Sequence, residues 1–274
     1  MKRIILSVAM IAAVAAVAIG ATTAYFSDVE TSTGNTFTAG AIDLKMDSQC
    51  TYNGVRSAEC GTWGQENGKD IVNETFFNFT DIKPGDEGEN TISLHIDNNP
   101  AWACANITIT SDEDVTCPEP EVGDDSTCTP ATTASFNGEI GKNLSLAWWE
   151  DDGDNILQQD ETNSLFFLSG AKLNDMLAAG GSGNKVLKLT LADSLQNFFV
   201  NAHPSGGPLN GSQTYYFGLQ WCFGNMGISG TTFTCDGAPL NNESQTDKLT
   251  ANMTFSVVQA RNNDGFRCED TYKQ

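Results

Sequence analysis

The sequence predicts an all-β sandwich, and two features carry that prediction. Short runs of alternating apolar and polar residues recur along most of the chain, the pattern of strands with one buried face. Turn residues separate the runs, as in residues 83–86 (KPGD), 98–100 (NNP) and 262–265 (NNDG). About eight to ten short strands of this kind imply two packed sheets, in a sandwich or a jelly roll.

The alternating runs follow one another along the chain after residue 35. In the first, residues 36–46, the apolar side chains of Ile42, Leu44 and Met46 share one face. Each later run repeats this spacing and predicts a strand. These runs are residues 91–97, 105–110, 143–149, 185–191, 214–221 and 248–258.

Two segments interrupt the alternation. Residues 172–179 place Leu173, Met176 and Leu177 at helical spacing, and two glycines follow, which predicts one short helix across an end of the sandwich. Residues 111–138 are acidic, rich in proline and contain two cysteines. We expect this segment to be a surface insertion stapled by a disulfide, with no core of its own.

The first 24 residues are typical of a secretory signal peptide. Two basic residues precede an apolar run, residues 4–19, and small residues follow up to Ala24. The apolar run is shorter than the roughly 20 residues that a membrane-spanning helix needs. We expect signal peptidase to cut between Ala24 and Tyr25, which gives a secreted chain without a stable membrane span. A retained N-terminal anchor is the alternative.

The chain is strongly acidic, with a formal net charge of -21 over 274 residues. This charge argues against nucleic acid as a partner and against anionic lipid surfaces, because phosphates attract Lys and Arg. Strong acidity fits solubility and cation binding.

Eight cysteines in an exported chain favour disulfides over free thiols. A zinc cluster is disfavoured, because the chain has no C-x-x-C motif. Eight cysteines allow about a hundred pairings, so the disulfide map stays open. Proximity in sequence suggests three pairs and leaves two cysteines to close a long loop: Cys50–Cys60, Cys117–Cys128, Cys222–Cys235 and Cys104–Cys268.

Asn-x-Ser/Thr sequons are candidate glycosylation sites on a secreted protein. Chance alone would supply several of them in a chain so rich in Asn and Thr. They begin at Asn73, Asn78, Asn106, Asn143, Asn210, Asn242 and Asn252.

The acidic segment 150–161 fits the calcium-loop template, in which oxygen ligands recur at alternate positions and a bidentate glutamate comes last. Two departures weaken the match: the first position is Glu instead of Asp, and the sixth is Asn instead of Gly. The segment is either a structural calcium loop or a solvated acidic hairpin tip. The candidate ligands are Glu150, Asp152, Asp154, the carbonyl of Ile156 and Glu161.

The sequence favours no enzyme class. Neither of the two histidines, His95 and His203, belongs to the H-E-x-x-H motif of zinc peptidases, and no G-x-S-x-G motif occurs. We therefore expect no catalytic residues and no cofactor other than calcium. Five tryptophans could form a sugar-binding platform, although such residues more often fill a sandwich core: Trp63, Trp102, Trp148, Trp149 and Trp221.

Residues 20–44 read GATTAYFSDVETSTGNTFTAGAIDL. This stretch resembles the SipW-type signal peptide and mature N-terminus of the TasA/camelysin family, whose pattern is A-T-x-A, an aromatic residue, F-S-D, then G-N-x-F-x-A-G-x-x-D-L. Residues 81–100 resemble archaeal members of that group, and residues 245–262 have a similar pattern. The middle of the chain, with its insertion, shows no such resemblance.

The resemblance implies a jelly-roll fold over residues 38–274, export with cleavage after Ala24, and polymerisation as in several relatives. There the mature N-terminus leaves its own subunit and adds a strand to the next one. In this chain the donor arm would be residues 25–37; docking on its own subunit as an edge strand, or disorder, are the alternatives. The donor strand would comprise Tyr25, Thr31 and two apolar plugs, Phe26 and Val29.

The sequence therefore predicts a secreted structural subunit of an extracellular fibre, pilus or biofilm matrix, assembled from copies of itself or with paralogous subunits. One alternative is a monomeric, glycosylated surface protein that binds a ligand or carbohydrate with its sandwich. The other is a peptidase, for which the camelysin branch of the family is named.

Overall fold

The alternating apolar residues form the inner faces of two antiparallel sheets. The computed structural model describes residues 27–31, 42–56, 60–64, 67–179 and 185–268. The strands in these residues are β1 (Ser27–Thr31), β2 (Ile42–Tyr52), β3 (Val55–Arg56), β4 (Glu87–Asn98), β5 (Ala101–Asp114), β6 (Leu144–Asp151), β7 (Phe166–Phe167), β8 (Ala178–Ala179), β9 (Lys185–Ala192), β10 (Gln213–Phe223), β11 (Asn225–Ser229), β12 (Thr232–Asp236) and β13 (Asp247–Gln259).

Five strands, in the order β1-β13-β5-β9-β8, form one sheet, and six, in the order β3-β2-β4-β10-β6-β7, form the other. β11 and β12 form a separate hairpin. The long strands β4, β5, β6, β9, β10 and β13 lie alternately in the two sheets, which is how a jelly roll is wound. The predicted all-β sandwich is confirmed.

The core lies between the two sheets. In β2, Ile42, Leu44 and Met46 are buried, and the residues between them are half-buried, as the sequence pattern predicts. Burying each such side chain contributes roughly 1.5–3 kcal/mol to folding. The core interpretation of the tryptophans also agrees with the structure, because all five are buried: Trp63, Trp102, Trp148, Trp149 and Trp221.

The connection between β3 and β4 adds core residues that no alternating pattern revealed. Trp63, Ile71 and Phe76 of this connection are buried and belong to the main hydrophobic cluster. Asn90 of β4 holds the connection in place, because its Nδ2 donates to the carbonyl of Phe76 at 3.0 Å.

In the described part of the chain, three short α-helices lie outside the sheets: α1 (Glu119–Asp124), α2 (Ile140–Asn143) and α3 (Leu173–Met176). The predicted helix is α3, but it is a single turn, because the chain after it pairs with β9 as β8. The helices α1 and α2 were not predicted, since segments of six and four residues are too short to show an apolar period.

The predicted insertion, residues 111–138, begins inside β5, which continues to Asp114. The rest carries α1 and the Cys117–Cys128 disulfide. Backbone hydrogen bonds return it to β5, where the N–H of Ala131 donates to the carbonyl of Asp114 at 2.8 Å. The insertion therefore lies against the end of β5.

Four disulfides join the pairs that proximity in sequence suggested: Cys50–Cys60, Cys104–Cys268, Cys117–Cys128 and Cys222–Cys235. The described residues contain no free cysteine. The Cys104–Cys268 bond spans 164 residues and ties β5 to the C-terminal segment. A disulfide of this kind typically adds about 2–5 kcal/mol to the free energy of unfolding.

The predicted signal peptide, residues 1–24, lies outside the described residues, as do the cleavage residues Ala24 and Tyr25 and the donor residue Phe26. Of the helices in the described part of the chain, none combines the length and apolar character that a membrane span requires.

Candidate functional site

The first candidate site is the edge of the five-stranded sheet, where β1 lies. β1 pairs with β13 of the same chain, in a register that sets Ser27 against Val258 and Thr31 against Thr254. Because β5 occupies the other side of β13, β1 is the last strand of the sheet. Without it, residues 254–258 of β13 would lose their ladder partners on that side.

The register of β1 sets polar positions against apolar ones. Glu30 is paired with Phe255, and Asp28 with Val257, and both β13 side chains are buried. Val29, the apolar residue of β1, is paired with Ser256.

β1 contains two of the predicted donor residues, Val29 and Thr31. Pairing with β13 of the same chain is the arrangement that the sequence analysis gave as the alternative to donation. Donation of β1 to a second copy stays a prediction.

The second candidate site is the acidic loop, residues 151–161, between the end of β6 and a 3-10 turn at Glu161–Asn163. Glu150, the predicted first ligand, does not belong to it. Both of its carboxylate oxygens accept backbone N–H groups, from Asn201 at 2.7 Å and Ala202 at 2.6 Å. Side chains alternate along β6, so Glu150 and its neighbour Asp151 point to opposite faces. Glu150 is therefore corrected from a calcium ligand to a residue that anchors the 201–202 backbone.

Asp151 takes the place that the template gave to Glu150. Carboxylate oxygens of Asp151, Asp152 and Asp154 lie within 4.8 Å of one another, with Asp151 buried and the other two exposed. Burial raises the pKa of Asp151 to about 6, although hydrogen bonds from the Gly153 N–H and the Trp149 indole oppose the change.

Glu161, the predicted last ligand, closes the acidic loop. One of its oxygens accepts the N–H of Gln158 at 2.8 Å, and the other is buried without a hydrogen-bond partner. Burial raises the pKa of Glu161 to about 7, and the charges of Asp151 and Asp152 add to this effect. The Glu161 carboxylate therefore lies near those of Asp151 and Asp152.

Ile156 lies at the tip of the acidic loop. Its side chain is 61% exposed, and its N–H donates to Asp154 at 3.0 Å. Gln158 supports the same carboxylate through its Nε2, which donates to Asp154 at 2.8 Å. These bonds fix the position of Asp154, while the Ile156 carbonyl as a ligand stays a prediction.

A further carboxylate reaches the acidic loop from β4. Glu89 is 5% exposed; one of its oxygens accepts the Thr91 hydroxyl at 3.1 Å, and the other has no partner. Burial, together with the charges of Asp151 and Asp154, raises the pKa of Glu89 well above its usual range. The cost of burying these charges falls if a cation neutralises them.

The acidic loop offers a set of hard oxygen ligands without a basic partner. Calcium takes six to eight oxygen ligands in flexible geometry, and aspartates on one loop with a glutamate at its end are its usual donors. Within the described residues no salt bridge reaches the five carboxylates of this site: Glu89, Asp151, Asp152, Asp154 and Glu161.

The two histidines do not form a metal site with these carboxylates. In β4, Nε2 of His95 lies 2.7 Å from Asp47, and Nδ1 lies 3.0 Å from the Thr214 hydroxyl. Among the residues that the structure describes, each group able to hold a metal ion contains carboxylates, once beside disulfide-bonded cysteines, and none contains His95 or His203. The described residues therefore do not supply the nitrogen ligands typical of catalytic zinc.

The sequons differ in exposure. Asn106 and Asn143 are buried, and Nδ2 of Asn143 donates to Ser244 at 2.8 Å. Because a glycan is attached through an accessible Nδ2, these two sites do not fit glycosylation of the folded chain. The other candidates are exposed or half-buried and stay predictions: Asn73, Asn78, Asn210, Asn242 and Asn252.

Residues 1–58 match the model of the family described as camelysin metallo-endopeptidase. This match supports the resemblance of the chain to the TasA/camelysin family. It includes β1 and β2, and it ends before both the acidic loop and the insertion. No curated protein matches the chain. The family description names a metallo-enzyme, but no group of possible metal ligands among the described residues contains a histidine.

Sequence reasoning named Asp152, Asp154 and Glu161 as candidate ligands, and it did not name Asp151 and Glu89, whose charges act on the same carboxylates. The alternation along β6 was the signal that could have separated Asp151 from Glu150, since only one of two neighbouring residues can face the loop. Glu89 had no local signal, because it arrives from a different strand of the sheet.

Proposed function

We propose that this chain is an exported structural subunit of an extracellular fibre, which polymerises by donating β1 to the β13 edge of the next copy. The observation that carries the proposal is the position of β1. It is a five-residue strand at the end of a sheet, with one ladder neighbour, inside the segment that matches the camelysin family.

Strand donation would conserve the hydrogen bonds of β1, because the same β13 ladder receives it from either chain. β1 contains no proline, so each of its residues can take part in the ladder.

We also propose that assembly requires calcium or raised salt. Cleavage after Ala24 removes Lys2 and Arg3 and changes the formal charge from -21 to about -23. Subunits of this charge repel one another, and salt screens the repulsion. Calcium in the acidic loop would reduce the charge directly, with Asp151, Asp152, Asp154, Glu161 and Glu89 as its ligands. Equal assembly in low salt with a chelator would contradict this requirement.

Negative-stain electron microscopy of the secreted protein tests the fibre proposal, with the mature N-terminus read by mass spectrometry. We expect filaments built from chains that begin at Tyr25. Deletion of residues 25–34 should leave a folded monomer that forms none. Dispersed particles of the intact chain at every salt and calcium concentration would overturn the proposal and favour a monomeric surface-binding protein.

Cross-linking tests donation itself. One variant carries Val29→Cys and a second carries Ser256→Cys, two positions that face each other in the ladder. Mild oxidation of the mixed variants should give a covalent heterodimer on a non-reducing gel. The control replaces the second variant with Thr250→Cys, which lies roughly 20 Å away along β13 and should not react. Donation is wrong if the mixture yields no dimer while a V29C/S256C chain forms the bond internally.

The family description favours one second candidate, a metallopeptidase. The described residues do not provide a zinc site, so we expect the purified chain to leave casein intact with or without added zinc. Cleavage that zinc restores after treatment with a chelator would favour the peptidase instead.

A further inference from the structure

Five carboxylates from separate parts of the chain meet where the insertion joins the sandwich. We call them the insertion cluster: Asp114 ends β5, Glu121 lies in α1, Asp125 follows α1, Glu139 precedes α2, and Asp247 begins β13. The ladder between β5 and β13 sets Asp114 directly against Asp247. Like charges at opposed positions destabilise a sheet, so this end of the fold requires something that offsets their repulsion.

The insertion cluster is compact and shielded from solvent. Carboxylate oxygens of Asp114, Asp125 and Glu139 lie within 4.8 Å of one another, and so do those of Asp114, Glu121 and Asp247. Asp114 and Glu121 are 0% exposed and Glu139 is 2% exposed. Because Asp114 belongs to both groups, it forms the centre of the cluster.

In four of the five carboxylates, one oxygen is held by the protein and the other is left without a donor. Oδ2 of Asp114 accepts the N–H of Thr129 at 2.7 Å and Nδ2 of Asn137 at 2.6 Å. Oδ2 of Asp247 accepts the N–H of Glu139 at 2.6 Å. In the described part of the chain, four buried oxygens of the cluster have no hydrogen-bond partner: Oδ1 of Asp114, Oδ2 of Asp125, Oε2 of Glu139 and Oδ1 of Asp247. Protein groups that fix the ligands while leaving oxygens open are typical of a metal site.

The electrostatics of the cluster also call for a cation. Among the described residues, one salt bridge reaches it, from Lys142 to Glu139. Burial raises the pKa of Asp247 to about 8, with the charges of Glu139 and Asp114 adding to the effect, and burial raises the pKa of Glu121 and Glu139. Without a further cation, the cluster would have to hold protons near neutral pH.

The donor atoms select the class of cation. The sulfurs of Cys117 and Cys128 lie close to Asp114, but they are bonded to each other and are not available as thiolate ligands. The remaining ligands are carboxylate oxygens. Zinc prefers nitrogen and sulfur, and magnesium requires a small octahedral shell, whereas calcium accepts many carboxylate oxygens in variable geometry.

We propose that the insertion cluster binds a calcium ion, which fastens the insertion to the ends of β5 and β13. The Cys117–Cys128 disulfide closes the insertion on itself without reaching β13. The ion binds at Asp114, which both groups share, and so links the insertion, which carries Glu121 and Asp125, to Asp247 at the start of β13. The hydroxyl of Thr246, which donates to Glu121 at 3.1 Å, supports the same junction.

Hydrogen exchange of the mature chain, followed by mass spectrometry, tests the site. Calcium in place of chelator should slow exchange of amides 115–139 by about a hundredfold when free calcium is about 100 times its Kd. Asp125→Asn and Asp247→Asn should each raise the calcium concentration required by about tenfold or more. The matched control is Glu119→Gln, which removes an exposed carboxylate from α1 outside the cluster and should behave as the wild type.

Asp125→Asn keeps the protein folded in this test, because its remaining oxygen can still accept the N–H of Thr127. Asp154→Asn in the acidic loop should leave calcium protection of residues 115–139 intact, which separates the two sites. Unchanged exchange of this segment on adding calcium would overturn the proposal. So would equal calcium protection in the wild type and in both cluster variants. A third outcome would show that the cluster holds protons: calcium has no effect on exchange in the wild type, and Asp247→Asn exchanges more slowly than the wild type in chelator.

Discussion

The acidic loop and the insertion cluster use the same side chains but differ in how the chain brings them together. The loop takes Asp151, Asp152 and Asp154 from four consecutive residues, whereas the cluster joins positions as distant as Asp114 and Asp247. Both contain buried carboxylate oxygens without partners. A spacing template finds the first kind of site because one turn builds it, and misses the second because strand register builds it.

The comparison also separates two roles of a buried carboxylate. Glu150 has both oxygens held by N–H groups, so it is complete without a cation. By contrast, some ligand candidates leave a buried oxygen without a hydrogen-bond partner: Glu89 and Glu161 at the acidic loop, and Asp114, Asp125, Glu139 and Asp247 in the insertion cluster. Substitutions that discriminate these roles therefore test both sites.

Glu150→Ala should have the largest effect, lowering the free energy of unfolding by about 2–3 kcal/mol, because it leaves two N–H groups without their acceptor. The loss should be equal in calcium and in chelator when measured by urea unfolding. Glu150→Gln, which keeps one acceptor oxygen, should cost less. A loss confined to calcium would restore Glu150 as a ligand and remove the distinction between the two roles.

Asp86 provides a second satisfied carboxylate for the comparison. It accepts hydrogen bonds from the Tyr52 hydroxyl at 2.6 Å, Asn53 at 2.9 Å and the N–H of Lys83 at 2.6 Å. Burial by itself raises the pKa of Asp86, but these hydrogen bonds outweigh it and the pKa is lowered. Unlike Glu89, Asp151, Glu161 and Asp247, whose pKa values are raised, Asp86 is stabilised in its charged form.

Asp86→Asn should lower the free energy of unfolding by about 2 kcal/mol at pH 7. Because the folded pKa lies below the unfolded one, this contribution is present above about pH 4 and is lost as the pH falls through the folded pKa. The difference between wild type and variant in urea unfolding should therefore shrink towards pH 3. Tyr52→Phe, which removes one of the three donors, should show a smaller change of the same sign. A difference that grows in acid would contradict the assignment.

The sequence contained much of the fold because strands with one buried face leave a period of two, as in Ile42, Leu44 and Met46. It also suggested the disulfide pairs that are close in sequence. It did not reveal how Glu89 reaches the acidic loop or how Asp114 meets Asp247, because both depend on which strands are neighbours. Nor did it place Glu150, since a linear template takes no account of which face of β6 each residue occupies.

Asp154→Asn tests whether Asp154 is a calcium ligand in the acidic loop. Asn keeps an oxygen that accepts the N–H of Ile156, so stability in chelator should change by no more than about 0.5 kcal/mol. Loss of a charged ligand should weaken calcium binding about tenfold, which is about 1.4 kcal/mol. Calorimetric titration of the two proteins with calcium measures this difference. Equal titration curves would remove Asp154 from the ligand set.

Asp247→Asn should have the smallest effect on the free energy of unfolding. The sign of that effect distinguishes a carboxylate of the insertion cluster from an ordinary structural carboxylate. Because the pKa of Asp247 in the folded chain is about 8, its charge lowers the free energy of unfolding by the full amount above pH 8. This loss of stability disappears as the pH falls towards the pKa of about 4 that the group has in the unfolded chain. At pH 9 in chelator, the substitution should therefore raise the free energy of unfolding by up to about 1 kcal/mol, because it removes the like charge opposite Asp114.

In calcium the same substitution should lower stability, because the ion loses a ligand. Glu119→Gln, the exposed control, should be neutral in both conditions. A variant that is less stable than the wild type in chelator as well as in calcium would show that Asp247 acts through its hydrogen bond to Glu139 alone. In that case the carboxylates of the insertion cluster would resemble Glu150, and the acidic loop would be left as the one calcium candidate of the pair.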